Sequence, residues 1–171
     1  MGKKYPKRII EVDLPIKRIS THARREKSIR HGHISTLHIW WARRPLAACR
    51  GVICAALWPD PADELCPKPF IAKARELMQD WADHHLGKVS HESYDNFIRY
   101  SKDQSLLLNP LEIRTALLDF IADFANWDNS TVKEYLETSR ALTQTAHEAL
   151  GGLPGTRPLV VDPFAGGGSI P

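Results

Sequence analysis

A chain of 171 residues with 43% hydrophobic and 25% charged content has the make-up of a globular domain, which argues against whole-chain disorder. Its longest apolar run, 52–58, is too short to cross a bilayer, and the basic start Gly2-Lys3-Lys4 leads into charged sequence rather than a signal core, so a cytosolic location without a membrane partner is expected. The net charge of +3 hides a division: residues 1–50 hold 13 Lys and Arg against 3 Asp and Glu, and the remainder holds 10 against 17. A basic first part suits a nucleic-acid partner through counterion release, or equally a solvated basic surface.

In chain order, residues 1–13 read as extended, with Ile9-Ile10-Glu11-Val12 a short strand or lead-in. Over 14–28 the spacing of Ile16, Ile19 and Ala23 among Lys and Arg predicts a basic helix that His31-Gly32-His33 breaks. Within 35–58, Pro45 suits a first helical position, and the residues after it are apolar on nearly every face, which predicts a buried helix ended by Pro59-Asp60-Pro61. Phe70, Ala74, Leu77, Met78 and Trp81 recur at helical spacing, with Gly87 as a stop.

Residues 88–108 are polar and show no assignable period. Asn109-Pro110-Leu111-Glu112 then reads as N-cap, proline at the first helical position and glutamate at the third, ahead of a face made by Ile113, Leu117, Phe120, Ile121 and Phe124. Thr131-Val132-Lys133-Glu134 resembles a capping box, and Val132, Tyr135, Leu136, Leu142, Ala146 and Leu150 line one side of a helix until Gly151-Gly152. No internal repeat is visible.

Only Pro158-Leu159-Val160-Val161 predicts a strand with clarity, and it runs into Asp162-Pro163-Phe164-Ala165-Gly166-Gly167-Gly168-Ser169. A strand followed by a glycine-rich turn opens the ligand site of many doubly wound α/β domains. Glycines allow a sharp turn and let a cofactor lie against main-chain N–H groups. The loop lacks the lysine of a phosphate-binding P-loop and the third glycine of a dinucleotide fingerprint, and a plain strand-to-helix turn without ligand is the simpler alternative.

Asp162-Pro163-Phe164-Ala165-Gly166-Gly167-Gly168-Ser169 resembles motif I of the amino-group DNA methyltransferases. Upstream, Arg25-Glu26-Lys27-Ser28-Ile29-Arg30-His31-Gly32-His33 and the block from Ser35 through Trp40-Trp41-Ala42-Arg43-Arg44-Pro45 to Ala48 resemble the opening of putative adenine-specific DNA methylases that begin with DUF1156. The resemblance covers about 14–60 and the C-terminal motif. It implies S-adenosylmethionine (SAM) bound by Asp162, Pro163, Phe164, Ala165, Gly166, Gly167 and Gly168, with Asp162 near the cofactor's amino group. It also implies a chain that is mainly α and leads into the first strand of a Rossmann-like class I methyltransferase domain.

The expected organisation is a basic DUF1156-like region at 1–60, a helical region at 61–155, and a first strand with motif I at 156–171. DNA and the remaining C-terminal part of the methyltransferase are the implied partners. The catalytic motif of such enzymes, [DN]-P-P-[YFW], does not occur in these residues, so this chain alone is expected to be inactive. The alternative is a non-catalytic nucleic-acid-binding or assembly module.

Arg30, Trp41, Arg43 and Arg44 are the candidates for nucleic-acid contact by charge and stacking, although a structural role for the tryptophans is equally compatible. His31, His33 and His38 with Cys49 lack structural-zinc spacing, and no metal site is expected. Cys49, Cys54 and Cys66 read as small buried hydrophobes, and Asp60, Asp63 and Glu64 as a cluster that caps or solvates a turn.

Overall fold

A computed structural model describes residues 5–28 and 45–162 as six α-helices joined by short 3-10 turns. These are α1 (Ile16–Ser28), α2 (Leu46–Leu57), α3 (Lys68–His84), α4 (His91–Lys102), α5 (Pro110–Ala125) and α6 (Lys133–Ala149). Among the described residues there is no β-strand, and no helix is long and apolar enough to cross a membrane.

The expected strand at 9–12 is instead a 3-10 turn, Ile9–Glu11. Ile9 is fully buried and its N–H donates to Trp58 O at 3.1 Å, while Asp60 N–H donates to Lys7 O at 2.9 Å. A single antiparallel bridge, Arg8 to Pro59, therefore ties this lead-in to the exit of α2. One bridge with no third strand beside it cannot propagate a ladder, and the turn satisfies the backbone groups locally.

Helix α2 begins at Leu46 with Pro45 as its cap rather than its first residue. Ala47, Cys49, Gly51, Cys54 and Ala55 are buried, but Val52 and Ala56 face outward, so the helix has a wet side that its composition conceals. Asn109 caps α5 as expected, its side chain accepting from Leu111 N–H at 3.0 Å. All residues from Phe120 to Ala125 are buried, which makes the second half of α5 the centre of the molecule.

Aromatic rings fill that centre. Trp81 lies 4.4 Å from Tyr135 and 5.3 Å from Phe120 between ring centroids, and Trp58 meets Phe120 at 6.1 Å. Their polar ends are satisfied inside the core: Trp58 Nε1 donates to Thr143 Oγ1 at 3.0 Å, Trp81 Nε1 to Thr138 Oγ1 at 2.9 Å, and Tyr135 OH to Lys88 O at 3.0 Å. The buried cluster runs from Ile9 to Ala146, so residues before and after position 60 share one core.

Three further expectations change. Residues 88–108 hold α4, capped by Ser90, and a 3-10 turn, Gln104–Leu108. The capping box at Thr131 does not form: α6 starts one residue later behind Val132, which gives no side-chain cap, and Glu134 pairs with Lys88 instead. Residues 158–161, expected as a strand, run irregularly with Leu159 and Val161 largely exposed. A strand needs a neighbour for its N–H and C=O groups, and none of the described residues offers one.

Candidate functional site

Two segments carry the sequence-derived site residues, and the structure shows how each is anchored at its base. The first spans 29–44. Proline at the cap of α2 has no side chain to offer the helix N-terminus, and Glu26 supplies the acceptor from α1. Its buried carboxylate takes the N–H of Leu46 at 3.0 Å and of Ala47 at 3.1 Å. A carboxylate on free helix amides is a charge-assisted cap favoured by the helix dipole. The same contact ties α1 to the start of α2. Arg30, Trp41, Arg43 and Arg44, like His31, His33 and His38, lie outside the described residues.

The second segment leaves α6. Gly151, with φ of 100°, donates to Glu148 O at 3.1 Å, and Gly152 donates to His147 O at 2.8 Å. This pair of bonds around a left-handed residue is the Schellman exit that Gly151-Gly152 leads one to expect. Gly155 N–H then donates to Glu148 Oε1 at 3.1 Å, and His147 Nε2 meets Thr156 Oγ1 at 2.8 Å. The chain is thus held to the end of α6 through Thr156 before it runs to Asp162. Asp162 is half-buried; Pro163, Phe164, Ala165, Gly166, Gly167 and Gly168 lie outside the described residues.

A groove opens where α2, α5 and α6 meet the exit segment. A cavity of about 560 Å³ is bordered by Arg50 and Ile53 of α2, Phe124 of α5, Arg140 of α6, and Arg157 with Pro158 of the exit segment. Arg50 closes the C-terminal end of α5, donating from Nη1 to Phe124 O at 2.9 Å, with its guanidinium 5.2 Å from the Phe124 ring centroid. Burial pulls Arg50 down from its ordinary pKa, and the long-range pull of Glu26 opposes this.

Sequence reasoning missed two buried charge networks. Arg18 of α1 reaches Asp119 (2.8 Å) and Asp123 (2.5 Å) of α5, and the hydroxyls of Ser90 (2.9 Å) and Ser93 (2.8 Å) at the start of α4. Glu92 approaches Arg18 Nε to 3.1 Å without hydrogen-bond alignment. Asn96 donates to Asp119 at 2.7 Å; even so, burial pushes the Asp119 carboxyl above the usual range, against the opposing hydrogen bond of Asn96 and charge of Arg18. Asp60 is the other case: it is buried, and Arg114 grips it through Nε at 2.7 Å and Nη2 at 2.5 Å. The first network joins α1, α4 and α5, the second ties the connection after α2 to α5, and both take their partners from within the protein, which makes them structural ties.

All three cysteines are buried, as expected of small hydrophobes. Burial pushes the thiols of Cys54 and Cys66 up to about 12, which leaves them protonated and unreactive at neutral pH.

Residues 13–83 match the family model DUF1156, described as a protein of unknown function. The DUF1156 segment takes in α1, residues 29–44, α2 and nearly all of α3, and so includes the Glu26 cap and Asp60. It ends well before Asp162. No curated protein and no solved structure matches the chain.

Proposed function

We infer that the chain is the N-terminal part of a SAM-dependent DNA methyltransferase acting on the N6 amino group of adenine. The observation that carries this reading is the run Pro158 to Ser169, an apolar segment entering Asp-Pro-Phe-Ala-Gly-Gly-Gly-Ser, in the same chain as a DUF1156 segment. Supporting it, Leu159 and Val161 stay exposed beside a helical core that needs neither of them, which leaves this segment free to pair with further strands.

SAM, when bound, supplies the methyl group. The carboxylate of Asp162 matches the positive ammonium of its methionine moiety, the glycines 166–168 would offer main-chain N–H groups, and Phe164 would pack beneath the loop. Arg30, Trp41, Arg43 and Arg44 would meet the DNA. No Pro-Pro-aromatic motif occurs in these 171 residues, so the target base must be gripped by residues beyond them.

A chain continued by about 200 residues past Pro171, enough for a typical domain, tests the reading. Incubated with tritiated SAM and DNA, it should place the label in N6-methyladenine; label in cytosine would overturn the adenine assignment. A non-catalytic DNA-binding module is the second reading, supported by a core that, among the described residues, draws on none of 158–162. Such a module would bind the DNA and transfer nothing.

A further inference from the structure

The cavity between α2 and α6 continues into a second of about 260 Å³, and the two share Thr143 and Pro158. Arg50, Arg140 and Arg157 border the first; Arg8 and His147 border the second. No Asp or Glu lines either one. None of the four arginines is ion-paired among the described residues, whereas Arg18, Arg25, Arg99 and Arg114 all are. Arg140 and Arg157 belong to the acidic part of the sequence, where 17 carboxylates outnumber 10 basic residues, so their convergence on Arg8 and Arg50 goes against the local composition. Glu148, close by on α6, is turned to Gln144 and Gly155 N–H.

We propose that this groove holds a nucleic-acid strand, its phosphates on Arg140, Arg157 and Arg8 and its sugar and base faces on the half-buried apolar floor formed by Ile53 and Pro158. The spread of cations over two joined cavities suits a linear polyanion better than one small anion. SAM does not fit here, because a sulfonium and an ammonium would face only arginines. An acidic peptide would also pair with an arginine cluster, but it brings no flat base faces to the apolar floor, which favours the nucleic-acid strand. The inference rests on the DNA-acting reading above for its context, yet it assigns contacts to residues outside both the 29–44 block and the glycine loop.

The test is fluorescence anisotropy of a labelled single-stranded oligonucleotide with the 171-residue chain across a salt series. Arg140→Glu with Arg157→Glu should weaken binding at least about tenfold and flatten the log–log salt slope by about 1.4, the share of two phosphates. If charge reversal impairs folding by circular dichroism, Arg140→Gln with Arg157→Gln should still weaken binding. Unchanged affinity in a folded double variant overturns the groove, as does displacement of the oligonucleotide by poly-glutamate at equal charge concentration. The assay uses no SAM, so its failure leaves the methyltransferase reading intact. Conversely, loss of methyl transfer with groove binding preserved sinks only that reading.

Discussion

Arg114 closes on Asp60 with two hydrogen bonds, and Asp60 is left with 1% of its surface exposed. Removing the guanidinium would strand a buried carboxylate, which costs far more than the pair contributes. Arg114→Met should therefore lower the unfolding free energy by about 3 kcal/mol in urea titration, and adding Asp60→Asn should recover part of it. His22 makes a pH prediction. Burial, aided by the charge of Arg18, lowers its pKa below 6.5, although Asp123 and Glu92 pull the other way. The unfolded chain then takes up the proton first, so this contribution to stability is complete above pH 6.5 and is lost as pH falls through the lower folded value. Urea midpoints should drop as the pH is lowered from about 7.5 to about 5, and His22→Gln should shrink the drop.

Helices whose ends carry their own signals were the legible ones. Asn109 and Pro110 start α5, and Gly151 ends α6, through groups adjacent in sequence. Helix α2 takes its cap from Glu26, 20 residues upstream of Leu46, and no local pattern announces such a partner. Glu26→Gln keeps the shape and loses the charge; it should destabilise the fold by about 1 kcal/mol in urea, and Glu26→Ala by more. Helix α4 escaped the periodicity because its buried positions are Ser93, Phe97 and Tyr100, and the first of these is polar to serve Arg18. The lead-in at Ile9 looked like a strand because burial of an isoleucine does not reveal that its N–H goes to a single carbonyl of Trp58.

At the scale of the molecule, the described helices form one core, and a cationic groove is bordered by α2, α5, α6 and the exit segment at Arg157 and Pro158. The glycine motif was visible from sequence because glycine and proline spacing is local. The groove was not, since its arginines come from positions 8, 50, 140 and 157 and meet only when α2, α6 and both flanking chains are folded. The most direct measurement is calorimetric titration of SAM into the chain continued past Pro171. Saturable binding that Asp162→Ala and Gly166→Val each abolish is the outcome expected. A folded protein that takes up no SAM, or takes it up equally well in both variants, would contradict the cofactor assignment.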